Sequence, residues 1–334
     1  MSEEKFEKRS LTGNINVACK YEDGTVRYWN TTKQEVIRHI VQIINDYQAD
    51  GYTLTLRQLH YQLVTKNWIV NHTSAYKKLG NILDDCRYGG VIDWDAIEDR
   101  GRVPYIPYAV KNVQHSLEDT IEQYRIDRQE GQKVHIEVWS EKDALSGILR
   151  RTTSKYHVQL VINKGYTSSS AIYGAYQRFL EKISKEDKKV VILYLGDFDP
   201  SGLDMVRDIS KRIRFMLHNG DAKDYFYYQD RYIDDWFKII PIGLTVEQIK
   251  KYKLPPNPTK LTDSRAEKYI AKYGRTCWEV DALEPHVLTQ IVDSNIAGRI
   301  DIPLFKKVIN RENRDIKELK GILSGVIKSK KKKK

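Results

Sequence analysis

The chain has 334 residues, 40% hydrophobic and 10% aromatic, which is enough apolar material for two packed cores and too much for wholesale disorder. No run approaches the roughly 18 apolar residues of a membrane span, and the N-terminus, Met1-Ser2-Glu3-Glu4-Lys5, lacks the apolar stretch of a secretory signal. Cys19, Cys86 and Cys277 are far apart without CxxC spacing, so neither a disulfide framework nor a zinc site is indicated and a reducing cytoplasmic setting is expected. The formal charge is +11, with six lysines between Lys328 and Lys334; such a tail is either a solvated, disordered end or a phosphate tether.

The first helix is predicted after Thr32-Lys33-Gln34-Glu35, a capping box followed by Val36, Ile37, Ile40, Val41, Ile44 and Tyr47 at helical spacing, with Asp50-Gly51 as its stop. A second box, Thr55-Leu56-Arg57-Gln58, opens a helix to about Lys66, and a third helix runs from Ser74 to Arg87. Gly89-Gly90 then turns the chain into Val91-Ile92-Asp93-Trp94, read as a hairpin or wing. Three short helices and a wing predict a winged helix-turn-helix domain over residues 1–103, with Lys77, Lys78 and Arg87 as candidate DNA contacts. A small helical domain without nucleic acid fits the same pattern.

Val103-Pro104-Tyr105-Ile106-Pro107 reads as a linker, and residues 104–130 as linker plus a connecting helix from about Ser116 to Arg128. From there strands and helices alternate. Val134–Trp139, Val158–Ile162 and Lys189–Leu195 read as strands, and Lys142–Arg151, Ser169–Ile183 and Ser201–Leu217 as helices. This alternation predicts an α/β domain over 131–327, a parallel sheet flanked by helices, with a disordered lysine tail at 328–334.

Ligands in such sheets gather beyond the carboxyl ends of strands. One strand here delivers Trp139-Ser140-Glu141-Lys142, another Leu195-Gly196-Asp197-Phe198-Asp199-Pro200-Ser201-Gly202. Residues two apart on an extended strand face the same way, so Asp197 and Asp199 would share a face. If the strands are neighbours, Glu141, Asp197 and Asp199 converge as a set of hard oxygen ligands suited to Mg²⁺. Asp199 before Pro200 is equally suited to cap a helix, and Glu141 to sit in a first turn. Asp197 has no such structural role and would end a buried strand as an unpaired anion.

The strand ending in Glu-Lys-x-Ala-Leu, the later Val-Ile-Asn-Lys-Gly-Tyr and the Gly-Asp-Phe-Asp-Pro-Ser-Gly string resemble a Toprim domain. They are most similar to the version in the A subunit of topoisomerase VI and its meiotic double-strand-break relatives, with motifs spanning Glu141 to Gly202. The resemblance implies that Glu141, Asp197 and Asp199 bind Mg²⁺ and handle a phosphodiester of double-stranded DNA, which would place the protein at the nucleoid. The family also carries Arg-x-x-x-Tyr in its winged helix, matched here by Arg57-Gln58-Leu59-His60-Tyr61, although Gln58 stands where the relatives carry aspartate and His60 where they carry an aromatic residue. On a helical wheel at about 100° per residue, Arg57 and Tyr61 lie off the Leu56, Leu59, Leu63 stripe, one turn apart, so Tyr61 is expected to face a substrate rather than the core.

The implied reaction is transesterification: Tyr61 attacks a phosphate, leaving a 5′-phosphotyrosyl link and a free 3′-hydroxyl, with Arg57 beside it and Glu141 as acid or base. The resemblance also implies a homodimer in which one protomer's tyrosine meets the other's metal. No Gly-x-x-x-x-Gly-Lys-Ser/Thr loop is present, so strand passage would need a separate ATPase subunit. Three rivals share these residues: a hydrolytic nuclease that uses water instead of Tyr61, a non-catalytic DNA-binding protein, and an RNA-processing enzyme. Trp278-Glu279-Val280-Asp281 has no assigned role, though Glu279 and Asp281 are placed to add to the acid cluster.

Overall fold

The structure, a computed structural model, describes residues 14–20, 26–98, 107–220, 226 and 232–332. The predicted linker at Val103–Ile106 and the last two lysines lie outside the described residues.

The N-terminal part opens with an antiparallel hairpin, β1 (Asn14–Lys20) and β2 (Val26–Thr32), which the helical periodicity did not anticipate. Three helices follow: α1 (Lys33–Ala49), α2 (Leu56–Thr65) and α3 (Thr73–Tyr88). Thr32 caps α1 by accepting from the Glu35 amide at 3.2 Å, while the Glu35 carboxylate takes the hydroxyl of Thr31 rather than closing the box. The Thr55–Gln58 box on α2 is complete in both directions. Val36, Ile40, Leu59, Leu63, Leu79 and Leu83 interlock as the core of the three helices.

Among the described residues, Val91–Trp94 forms no strand of the predicted wing. Gly90, at φ +70°, turns the chain, but the Val91 and Ile92 amides both donate to the Cys86 carbonyl, at 2.8 and 3.3 Å. Ile92 is buried, and the Arg87 guanidinium donates to the carbonyls of Trp94 at 3.0 Å and Ile97 at 2.6 Å. With its backbone tied down, the segment forms a short 3-10 turn at Trp94–Ala96 and a single parallel bridge from Ile97 to Leu54.

The second part is α/β, as the alternation predicts. Strands β3 (Val134–Ser140), β4 (Gln159–Ile162), β5 (Lys189–Leu195) and β6 (Phe237–Gly243) form one parallel sheet in the order β4-β3-β5-β6. The connecting helix α4 spans Val113–Gln123; α5 (Ser146–Tyr156), α6 (Ser169–Ser184) and α7 (Pro200–Asn219) follow their strands. Central strand β5 has both faces covered. Leu193 and Leu195 enter a core with α5 and the helix Pro285–Ala297, whereas Ile192 and Tyr194 enter one with α6 and α7. The Glu137 carboxylate, buried in mid-strand, is answered locally by a two-pronged Arg178 contact at 2.9 and 3.1 Å and by the Trp139 indole at 2.8 Å.

Helix Ile302–Lys332 runs through most of the lysine run that composition assigns to a disordered tail. Among the described residues no helix is long and apolar enough to cross a membrane. Helix α2 joins the two parts: Leu59 and Leu63 pack into the three-helix core, while Tyr61 packs into the core under the sheet.

Candidate active site at the strand ends

Parallel pairing sets the site. Ser140 of β3 lies opposite Leu195 of β5, so the residues that follow each strand emerge side by side. The Asp197 amide donates to Glu141 Oε1 at 3.2 Å, which makes these two expected site acids direct neighbours. Gly202 permits the close approach of α7: a Cβ there would stand 2.3 Å from the Asp197 carbonyl oxygen.

Asp199 has one oxygen committed to a helix end. Its Oδ1 accepts from the Gly202 amide at 2.6 Å and the Ser201 hydroxyl at 3.1 Å, capping α7 ahead of Pro200. The two aspartates were expected to share a face, but the chain leaves the strand at Leu195, so extended-strand alternation no longer governs them.

Two other acids arrive instead, from the tetrapeptide that carried no assigned role. Phe198 and Trp278 form an antiparallel bridge, amide to carbonyl at 2.8 and 3.1 Å, which lays residues 278–281 across the strand ends. The Val280 amide then donates to Asp197 Oδ1 at 2.9 Å, with Glu279 and Asp281 on either side. Lys142 gathers all four carboxylates. Its Nζ lies 2.5 Å from Asp197 Oδ2, 3.4 Å from Glu279, 3.7 Å from Glu141 and 3.8 Å from Asp281. Asp197 is therefore not the unpaired anion that its position suggested; the ammonium answers it.

The α2 side completes the cluster. Arg57 Nε donates to Asp281 Oδ2 at 3.2 Å, an Nη of the same guanidinium pairs with Glu279, and the guanidinium carbon lies 5.8 Å from the centre of the Tyr61 ring. Tyr61 is 5% exposed, contrary to the expectation that it points away from a core. The wheel registers one core, but α2 lies between two, so every residue from Gln58 to Val64 is buried. The Arg57 side chain, 47% exposed, faces a groove between α2, α3 and Asp143–Ala144, whose lining mixes Arg57 and Arg87 with Asp84, Glu98 and Asp143.

Electrostatics follow from burial and crowding. Burial, with Asp197 beside it, pushes the Glu141 carboxyl up to about 8. Burial likewise raises Asp197, and lifts Asp281 to about 6. For Lys142 burial works against the charge, but Asp197, Asp281, Glu279 and Glu141 overcome it and hold the ammonium protonated well above its ordinary range. Burial and then Glu279 raise the Tyr61 phenol, despite Arg57. Arg57 therefore does not make Tyr61 a phenolate here.

The donor chemistry suits a hard divalent cation: oxygen only, with four carboxylates facing two side-chain cations, Lys142 and Arg57. Asp281, 1% exposed, keeps one oxygen, Oδ1, without a hydrogen-bond partner. Among the described residues no three His, Cys, Asp or Glu side chains stand ready as a ligand set; the acids close on an ammonium rather than on open space.

Of the expected DNA contacts, Lys77 and Lys78 are exposed on α3, whereas the Arg87 guanidinium spends donors on the Trp94 and Ile97 carbonyls and stacks 5.4 Å from the Trp94 ring. No family model, no curated protein and no solved structure matches the chain.

Proposed function

We propose that the protein cleaves DNA phosphodiester bonds with the aid of Mg²⁺, with Tyr61 as nucleophile. The observation that carries this reading is the meeting of Glu141 and Asp197, acids from two neighbouring parallel strand ends, 3.2 Å apart from backbone amide to carboxylate. The sequence resemblance to Toprim domains of the topoisomerase VI A type points the same way, and Arg57, exposed on the groove, is a donor for a backbone phosphate. When bound, Mg²⁺ would stabilise the charge that develops on the phosphate and the leaving oxygen. Glu141 and Asp197 would hold it.

The chain's own groups divide the chemistry. Tyr61 Oη forms the new bond to phosphorus, and its proton passes to the Glu279 carboxylate it faces. The 3′-oxygen is displaced. Burial and Asp197 push Glu141 up to about 8 while no cation is bound, so it would release its proton on binding and serve as a ligand, and the displaced 3′-oxygen takes its proton from water. Tyr61 and the acids are linked through Glu279 within one chain, so a single protomer can contain the reaction without the exchange between protomers that the resemblance implies.

Supercoiled plasmid incubated with the protein and Mg²⁺, stopped with detergent and run with and without protease, tests the reading. Product that enters the gel only after proteolysis supports a covalent tyrosyl intermediate, and Tyr61→Phe abolishes it. A second reading, hydrolysis by water at the same acids, is favoured by the burial of Tyr61; it requires protease-independent cleavage that survives Tyr61→Phe. No cleavage under any condition sinks both.

A further inference from the structure

We propose that Asp281 and Glu279, rather than Asp199, complete the divalent-cation site begun by Glu141 and Asp197. The inference rests on reading that pair as a cation site, and it assigns a role to a segment roughly 80 residues beyond the second strand motif.

Three observations carry it. First, Asp199 is occupied elsewhere. Its Oδ1 takes the Gly202 amide at 2.6 Å and the Ser201 hydroxyl at 3.1 Å, which fixes it as the cap of α7. That oxygen could turn to a metal only by leaving the helix end, and neither oxygen of Asp199 is paired with the ammonium that gathers the other acids. Second, one ammonium already measures the acids' common centre. Lys142 Nζ reaches Asp197, Glu279, Glu141 and Asp281 within 3.8 Å, so these four carboxylates surround a position of positive charge, and Asp199 is not among them. Third, Asp281 is 1% exposed and its Oδ1 has no partner. Arg57 answers Oδ2 at 3.2 Å, but a buried carboxylate oxygen without a donor is costly, and Oδ1, on the 3-10 turn Val280–Ala282, is the atom left for a further cation.

The backbone supports the same assignment. The Phe198–Trp278 bridge and the Val280 amide on Asp197 hold the 278–281 segment to the strand-end loop, so the two acids are positioned by main-chain bonds rather than by flexible side chains alone. Mg²⁺ typically takes one or two hard carboxylate ligands beside waters and phosphate oxygens, and loops anchored on a rigid sheet can present them. On cation entry the Lys142 ammonium gives up its central position and stays nearby as a donor.

Mn²⁺ binding to the full chain, followed by electron paramagnetic resonance, tests this without reference to cleavage. Wild type is expected to bind Mn²⁺; Asp281→Asn and Glu279→Gln each weaken binding by about tenfold or more, and Asp199→Asn changes it by less than about threefold. If Asp281→Asn and Glu279→Gln bind like wild type while Asp199→Asn does not, the assignment is overturned and the sequence-motif triad stands. Should Asp281→Asn fail to fold, judged by circular dichroism, Glu279→Gln alone decides, since its carboxylate is less buried. Wild type that takes up no Mn²⁺ overturns the cation site altogether. Mn²⁺ binding that depends on Asp281, with no DNA cleavage, keeps this inference and removes only the proposed activity.

Discussion

The ammonium of Lys142 lies 2.5 Å from Asp197, and the same nitrogen reaches three further carboxylates. Removing it leaves four acids in a buried space with only Arg57 to answer them. Lys142→Ala is therefore expected to cost about 3–5 kcal/mol in urea unfolding. Part of that loss should return with millimolar Mg²⁺ or Ca²⁺, and the variant's melting temperature should rise with added divalent cation more than wild type's. A variant as stable as wild type without metal would contradict the electrostatic account.

Tyr61 separates packing from chemistry. Its ring belongs to the core beneath the sheet, so Tyr61→Ala should destabilise by about 3–4 kcal/mol. Tyr61→Phe keeps the ring and loses only the hydroxyl that faces Glu279, and should change stability by about 1 kcal/mol or less. Denaturant midpoints of the two variants check this, and they establish that loss of cleavage in Tyr61→Phe is not a folding defect.

His60 is 4% exposed, and burial, followed by the charge of Arg57, lowers its imidazole from 6.5 to about 4. In the unfolded chain it takes a proton below about 6.5, but in the folded chain only below about 4. Its contribution is thus fully present above pH 6.5 and is lost as pH falls from 6.5 to 4, by up to about 3 kcal/mol. Thermal melts of wild type and His60→Gln across this window should converge at low pH; parallel curves would exclude His60 as the cause.

Arg87 and the lysines of α3 should behave differently on DNA. Lys77→Ala with Lys78→Ala is expected to leave stability within about 0.5 kcal/mol and to reduce the salt slope of DNA binding by about 2 if both touch phosphates. Arg87→Ala should cost about 2 kcal/mol through the freed Trp94 and Ile97 carbonyls, with the salt slope unchanged. Fluorescence anisotropy titrations at several salt concentrations distinguish the two.

Gly202 tests how closely α7 must approach. A methyl group there meets the Asp197 carbonyl at 2.3 Å, so Gly202→Ala should force the helix end outward and cost about 1–3 kcal/mol. The same shift should weaken Mn²⁺ binding, because Asp197 moves with its carbonyl.

The parallel sheet was legible because its strands are short apolar runs separated by helices of the right length, and Lys189–Leu195 matches its strand to the residue. The meeting of Glu141 and Asp197 was foreseen only on condition that their strands were neighbours, and the β3–β5 pairing supplies that condition. What escaped was long-range. The Phe198–Trp278 bridge leaves almost no local trace, so Glu279 and Asp281 showed only as two acids in an alternating tetrapeptide, and Lys142 as half of a motif rather than as the centre of the cluster. The wing failed for a similar reason: Gly89-Gly90 signals a turn but not that Arg87 would hold the next segment against α3. The orientation of Tyr61 was misjudged because helical periodicity sees a single apolar stripe.

Helix α2 has a mechanical consequence. One wall serves two interiors, Leu59 and Leu63 on one side and Tyr61 on the other, so neither half keeps a closed interior if the helix leaves. Heat or denaturant should therefore dismantle both halves together, and a fragment starting at Val134 would carry an open apolar flank where Tyr61 had been. Any motion that delivers Tyr61 to a substrate must carry the whole three-helix unit with it, as one body turning against the sheet.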